Sequence, residues 1–519
     1  MLNETFAFTI EKEMAVIQKG TFTVPSVCRH LCLEYELEPP FPFLIFLLLR
    51  DPNGKLRFQK QLGYSTPVIC LGESGADTTI GGIPGAIPAG VWTVECYVFA
   101  EHMEAMVQER KIPFTLRITD RRQDIAEAVG GQVWADEDFR YTHYDTQTCR
   151  CAEARWYKGD FHTHTQLSDG KELPARANEK AQMMQLDYYV ATEHNVLHTG
   201  WQETEVMIVP GVEITTTLGH ANLFGLDRRP ARLTDILRCK DREALTDALD
   251  GIVAECRERN WLFSINHPFL YVWKWLYEAL PLDAVGCLEI NNDPTYESDP
   301  VAQAREANQK AVYLSDLLWA DGYRICAVGG SDSHKAIDDF YPGASEPSIP
   351  GDPATYLYME GLSPAHLVQS LRDCRCYVTR HCAVCSAFEV LDEDGRTLHR
   401  PMFGDRIAPA GRTLRFTLTL SDTQQPPTVY AIHNGERRVY PVTETAAHTY
   451  QAQGEIALCE NGYQWVRFGA EDESGAFLFY GNPLTRGSTE HRFRTFGEIR
   501  KHLEETWKSK AYYLTKTAP

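Results

Sequence analysis

Between residues 159 and 334 the chain sets histidines and carboxylates in short, regularly placed groups. Gly159-Asp160-Phe161-His162-Thr163-His164 carries two imidazoles at i and i+2. On a strand such residues share a face, so both rings can address one ion. Ser168-Asp169-Gly170 adds a carboxylate in a turn directly after. Thr192-Glu193-His194-Asn195, Pro210-Gly211-Val212-Glu213, Gly219-His220 and Asn266-His267-Pro268 follow, and Gly329-Gly330-Ser331-Asp332-Ser333-His334 closes the series with a second i, i+2 pair. Imidazole and carboxylate are ligand types for zinc, manganese, iron or magnesium. Such ions can lower the pKa of water from about 15.7 to about 7 and so provide a nucleophile at neutral pH. Metal-assisted hydrolysis is the chemistry these groups point to.

The elements that must position them can be read around the motifs. The apolar stretches Tyr188 to Ala191, Leu262 to Ile265 and Arg324 to Val328 each run into a ligand-type residue and then a turn. Ligands at strand ends are the arrangement of a (β/α) barrel, whose catalytic groups sit where strands give way to loops. Leu245, Leu249, Ile252, Val253 and Cys256 follow helical spacing, and a second helix is expected over about 301 to 320. Pro364 to Asp373 reads as a helix leading into the strand Cys376 to Thr379. Before residue 151 the texture is all-β, with strands at Met14 to Ile17, Leu31 to Leu37, Trp92 to Phe99 and Phe114 to Ile118, and with Phe41 to Leu49 as a buried strand. Beyond 386 the β pattern returns at Thr413 to Leu420 and Trp465 to Gly469, and a last helix lines up Phe496, Ile499, Leu503 and Trp507. The expected division is a β-sandwich or jelly-roll over 1–150, the hydrolase unit over 151–385, a second β-sandwich over 386–490, and a helix and tail over 491–519.

H-x-H with S-D-G, then E-H-N, G-V-E, N-H-P and S-D-S-H in this order resemble the polymerase and histidinol phosphatase (PHP) superfamily, over roughly residues 155 to 382. Ala89-Gly90-Val91-Trp92 and Tyr480-Gly481-Asn482-Pro483 resemble, more loosely, a multidomain branch that includes carbaryl-type hydrolases. The resemblance implies an α/β fold, a distorted (β/α)7 barrel holding two or three divalent ions. One ion would take His162, His164, Glu213 and Asp332. A second would share Glu213 with His220 and His267, and a third would take Asp169, His194 and His334. Some relatives have a histidine near the Asp169 position, so the carboxylate there bears on which metal the third site prefers. Glu289 ends a strand as well and is a candidate to approach the metals, but no ligand of the family maps to it and a structural role is expected.

Three divalent ions and three carboxylates leave about +3 in such a cluster, which a bridging hydroxide and a phosphate dianion would neutralise. A phosphoesterase acting on a small phosphorylated molecule is therefore the expected function. Hydrolysis of a carboxylic or carbamate ester at the same metals is the alternative. An amidohydrolase barrel also begins with H-x-H, but the D-x-H ending and Glu213 argue against it. A non-catalytic reading makes the flanking β regions a carbohydrate- or protein-binding surface on a metal-stabilised scaffold. Glu193, beside His194, suits an orienting partner for an imidazole or else a solvated strand end. Lys335, Lys171 and Arg380 are candidate phosphate contacts, and Tyr271, Trp273, Trp275 and Tyr277 could wall a pocket.

Composition narrows the partners. The 519 residues include 51 basic and 71 acidic side chains, a net charge of −20 that disfavours long nucleic acid. The longest apolar run is too short for a bilayer span, which takes ~20 residues, and contains Pro42. With no basic and apolar leader at Met1-Leu2-Asn3-Glu4, a cytoplasmic protein whose 15 cysteines are reduced is expected. Cys374, Cys376, Cys382 and Cys385 are spaced like a zinc knot, but an extended strand would hold the outer two apart, so no metal is expected there.

Overall fold

The computed structural model describes residues 2–12, 14–98, 107–239, 241–299 and 301–509. The chain is a mixed α/β structure made mostly of strands. Two four-stranded antiparallel sheets come first. Asn3–Ile10, Ile112–Thr119, His30–Glu36 and Val68–Gly72 form one, and Ile17–Val24, Gly90–Val98, Ile45–Arg50 and Leu56–Gln61 the other. Alternation along each strand sends Leu31, Leu33, Phe114 and Leu116 from one sheet, and Leu47, Leu49, Trp92 and Val94 from the other, into one shared core. The expected strand over Phe41 to Leu49 is corrected: Phe41–Leu44 is a 3₁₀ turn with Pro42 inside it, and the strand is Ile45–Arg50. Proline has no N–H to give a ladder, so pairing starts only after it. The strand expected from Met14 begins at Ile17, and Phe99 lies outside the described residues. Cys32 and Cys70, directly opposite on adjacent strands, are joined in a disulfide, which corrects the all-reduced reading for that pair.

The central region holds the motifs. Arg155–Asp160, Tyr188–Ala191 and Met207–Pro210 pair in parallel in that order. A second sheet runs Val212–Thr216, Gly219–Phe224, Leu262–Ile265, Val285–Asn292 and Cys326–Gly330, antiparallel over its first three strands and parallel over its last three. Helices Arg242–Arg259 and Ala304–Ala320 lie between strands as the periodicity predicts, and bury Leu245, Leu249 and Ile252, and Leu314 and Leu318. The ladders do not close into the expected (β/α)7 barrel. Among the described residues the two sheets share no continuous ladder at these ends, where isolated parallel bridges join His194 with Glu213 and Thr163 with Ser333. The antiparallel hairpin Val212–Phe224 breaks the parallel winding. At the strand ends the backbone also turns away from ladder geometry, with positive φ at Asn195, His267 and Asp332.

The later strands are not set apart from this framework. Cys376–Thr379 pairs with Phe477–Gly481, so one sheet crosses the boundary expected near 385 and continues into Gln464–Glu471 and Thr428–His433. A five-stranded sheet centred on Thr413–Ser421 packs on that extension through Phe416, Leu418, Val429 and Phe468. The last helix, Phe496–Thr506, starts at a Thr495–Glu498 capping box and buries Phe496, Ile499 and Leu503. Residues 510–519 of the expected tail lie outside the described residues. Among the described residues, no helix is long and apolar enough to cross a membrane.

Candidate metal centre

Asp160 ties the strand ends together. Its Oδ1 accepts from the His162 and Ser331 N–H groups at 3.0 and 3.1 Å, and its Oδ2 from Gly351 N–H at 2.7 Å. The His162 and Asp332 turns are thus held side by side, and Asp332 N–H donates to the His162 carbonyl. Around them the predicted ligands converge. His162 Nε2 lies 3.1 Å from Glu213 Oε1 and 3.2 Å from Asp332 Oδ1. His164 Nε2 is 3.1 Å from Asp332 Oδ1 and 3.6 Å from Glu213 Oε2. His220 Nδ1 and His267 Nε2 approach Glu213 Oε1 at 3.2 and 3.5 Å. Asp169 Oδ1 stands 3.4 Å from His194 Nε2 and 3.2 Å from His334 Nε2. His164 joins this last group, with all four ligand atoms within 4.8 Å of one another.

These spacings can be compared with what an ion requires. Donors about 2.1 Å from one ion, at angles between a right angle and a tetrahedral one, stand roughly 3.0–3.4 Å apart. Most of the contacts above fall in or near that interval. Ring and carboxylate atoms of these residues also lack hydrogen-bond partners: His162 Nε2, both His164 nitrogens, Asp169 Oδ1, Glu213 Oε2, His267 Nδ1 and Asp332 Oδ1 are buried without one. Several such atoms at one point are costly unless something outside the chain satisfies them. The donor set therefore fits divalent ions.

Electrostatics point the same way. Burial disfavours charge on Glu213, yet His162 and His194 hold its carboxyl well below the usual range. Asp332 is likewise held low, by His162 and His164 against burial. Burial, with His334 and His194 adding, lowers His164 to about 4, and burial lowers His220 to about 4 against the pull of Glu213. The carboxylates are thus ionised and His164 and His220 neutral at pH 7, whereas the neighbouring carboxylates raise His162, His194 and His334 against burial, so those three rings must give up a proton when an ion binds.

Glu289 carries more than its place in the sequence suggested. Its Oε1 accepts from the His162 Nδ1–H at 3.0 Å and its Oε2 from the His267 backbone N–H at 2.8 Å. The first bond turns His162 Nε2 toward Glu213 and Asp332. The approach is so close that a Cβ at Gly330 would lie 2.2 Å from Glu289 Oε1 and 2.4 Å from the His162 Cβ, which explains a glycine there. Asn292 donates to Glu289 Oε2 at 3.1 Å and Asp332 Oδ2 at 3.3 Å, and Asn266 donates to Glu213 Oε1 at 2.9 Å. The signal for Glu289 was a carboxylate on an apolar strand end, the same signal that marked Glu213.

Three readings need correction. Glu193 orients no imidazole of the cluster. It is fully buried and accepts from the Thr165 N–H and hydroxyl, the Ser168 hydroxyl and the His198 Nε2–H, so it shapes the loop leading to Asp169. Arg380 is held at 2.9 Å by Asp352 and by Glu346, and does not line the cavity over the cluster. The aromatic run divides: Trp273 lines the cavity, Trp275 and Tyr277 are buried in the core, and Tyr271 is exposed. Lys335 and Lys171 both line that cavity, whose volume is about 440 Å³. Asp293 lines it too, and burial, with the Asp332 charge adding, pushes its carboxyl up to about 7 against the Thr295 hydroxyl bond. The four clustered cysteines do not converge: Cys374 and Cys376 both adjoin Cys326, Cys382 Sγ contacts the Leu478 carbonyl, and Cys385 is exposed.

No protein-family model and no curated protein matches the chain. Among solved structures it is similar to a two-domain protein from Bacteroides vulgatus inferred to contain a PHP-like metal-dependent phosphoesterase. Identity is 14% and the TM-score 0.32, over 67% of this chain and 99% of that one. It is also similar to a candidate metal-dependent phosphoesterase from Bifidobacterium adolescentis, at 15% identity and a TM-score of 0.25, over 36% of this chain and 92% of that one. With TM-scores of this size the weight lies on the ligand motifs and their geometry.

Proposed function

We propose that the chain is a metal-dependent hydrolase of the PHP kind, acting on phosphoric esters of small molecules. The observation that carries the reading is the convergence of nine ligand-type side chains, several with partnerless buried atoms, six of which (Asp169, His194, His220, His267, Asp332 and His334) line one cavity. Divalent ions, when bound, supply Lewis acidity toward the phosphoryl oxygens and an ionised water at neutral pH. The chain's own groups do the rest. Glu213 would be shared between two ions, being the carboxylate within 3.6 Å of His162, His164, His194, His220 and His267. Asn292 holds Asp332 by its outer oxygen, and Asn266 donates to the Glu213 oxygen that faces His162, His220 and His267. Lys171 and Lys335 at the cavity rim add a positive field for an approaching anion.

The charge count sharpens once Glu289 is included. Three divalent ions against Asp169, Glu213, Asp332 and Glu289 leave about +2, or about +1 once the ionised water is counted, so the centre still favours an anionic ester over a neutral one. The same geometry supports reading 151–385 as a distorted PHP-type barrel whose wall is interrupted where ligand-bearing backbone turns inward. The deciding experiment compares kcat/KM for an aryl phosphate and an aryl ester with one leaving group, with Mn²⁺ and with Zn²⁺. A hundredfold preference for the phosphate, about 2.7 kcal/mol of transition-state stabilisation, is expected. The reverse preference by that margin would make this an ester or carbamate hydrolase on the same metals.

A further inference from the structure

The cavity over the ligand cluster has more aromatic wall than a phosphate needs. Phe43 and Tyr64, from the N-terminal sheets' loops, meet edge to face with ring centres 4.6 Å apart. Trp273, Tyr296 and Tyr341 come from three separate loops of the central region and run in sequence at 6.3 and 4.9 Å. All five rings line the one cavity, and none is fully buried. Two cations join the sets. Lys171 Nζ sits 5.2 Å from the Tyr64 ring centre and Lys335 Nζ 4.9 Å from that of Tyr341, and both lysines pair with Asp339 Oδ2. The rim is anchored on the metal ligands, since Lys171 N–H donates to the His334 carbonyl at 2.9 Å and Lys335 follows His334 in the chain.

Half-exposed aromatic surface gathered in one concave place gains by being covered with an apolar partner. Edge-to-face and offset contacts favour a flat aromatic partner over a saturated ring of equal size. The net-positive rim suits the anionic end of the same molecule. We propose that the substrate's leaving group carries an aromatic ring, held against the Phe43–Tyr64 pair and the Trp273–Tyr296–Tyr341 run while its reacting group meets the ligand cluster. For the reacting group this rests on the phosphoesterase reading above; for the ring it does not. The N-terminal region is thereby a part of the substrate site, through residues about a hundred positions before the first ligand.

Benzyl phosphate and cyclohexylmethyl phosphate share a primary-alcohol leaving group and differ mainly in the flatness of the ring. With the metal-reconstituted full chain, kcat/KM for the benzyl ester is expected to be at least tenfold higher, and Tyr64→Ala and Trp273→Ala should each move that ratio toward one. Equal values in the parent would overturn the ring site and leave the phosphoesterase reading standing. A binding arm needs no turnover: calorimetry of 2-naphthalenemethanol and its decahydro counterpart on the same protein should show the aromatic alcohol binding at least tenfold more tightly. Tight binding of that alcohol with neither phosphate hydrolysed would support the ring site while sinking the phosphoesterase reading. No preference in either arm would overturn the ring site.

Discussion

Arg467 and Asp316 are buried together, with Nε–Oδ1 and Nη2–Oδ2 contacts of 2.5 and 2.9 Å and the guanidinium 4.7 Å from the Tyr480 ring centre. Glu213 is as deeply buried, yet the groups facing it are imidazoles, which carry charge only when protonated. In the first cluster the helix Ala304–Ala320 and the strand Gln464–Glu471 supply both signs, so the charge is settled within the chain. In the second, carboxylates are gathered with ligands that suit a cation from outside. Burial of charge alone does not mark a functional site. A buried charge faced by neutral-capable ligands rather than by a fixed counterion, arranged at ion-coordination spacing, does.

The contrast can be broken most severely at the self-contained pair. Arg467→Met leaves Asp316 buried without its counterion and should cost about 3–5 kcal/mol of unfolding free energy. Arg467→Met with Asp316→Leu should recover most of it, and metal content by elemental analysis should stay at the parent value in both. A single variant within 1 kcal/mol of the parent would show that the pair is not self-contained. At the other cluster, Glu213→Gln keeps shape and removes charge. It should lose at least one ion per chain and at least a hundredfold in kcat/KM, about 2.7 kcal/mol, while unfolding without the loss seen for Arg467→Met. Full metal content in that variant would contradict the shared role of Glu213.

Glu289→Gln tests the orientation of His162. The amide can still meet the ring but no longer draws its Nδ1 proton as strongly, and metal affinity measured by chelator competition should fall about 10–100-fold. An unchanged affinity would return Glu289 to a packing role. The smallest effect belongs to a third carboxylate with partners inside the chain. Glu95 receives the Tyr97 hydroxyl at 2.8 Å and faces Arg50 at 3.1 Å and Lys19 at 3.4 Å, which lower its pKa below 4.5 although burial acts to raise it. A carboxyl lowered on folding adds stability above its unfolded pKa and loses it as pH falls through the folded one. Acid unfolding curves of Glu95→Gln should therefore be flatter below about pH 4.3, with or without metal. Identical curves would remove Glu95 from the comparison.

What the sequence made legible follows the range of the interactions. His162 and His164, or Asp332 and His334, declare themselves through i, i+2 spacing on a strand end, which is local. Helix Arg242–Arg259 and the apolar stripe of helix Phe496–Thr506 are local too, and both stand where the pattern puts them. Glu289 was visible as a strand-end carboxylate, but its contact with His162 spans 127 positions and depends on Val285–Asn292 lying beside Cys326–Gly330. Arg380 misled for the same reason, since Asp352 and Glu346 claim it through folding rather than spacing. The open ladders could not be read either: the antiparallel hairpin at Val212–Phe224 has the same apolar texture as the parallel strands around it. Tyr64 and Phe43 gave no sign at all of sharing a cavity with ligands so far along the chain.

The strand Leu56–Gln61 grips the loop that leads to Asp169: Lys60 Nζ reaches the Gln166 carbonyl and Glu127, Gln61 N–H the Leu167 carbonyl, and Gln59 the Leu197 carbonyl. During vectorial synthesis these N-terminal residues emerge and fold before the loop exists. The grip is therefore a template waiting for its object, and the Asp169 end of the site takes shape as the two regions dock. A chain severed between them would leave the Gln166 and Leu167 carbonyls without donors. Exchanging the N-terminal region for that of another protein would likewise have to carry matching donors for the Gln166 and Leu167 carbonyls with it.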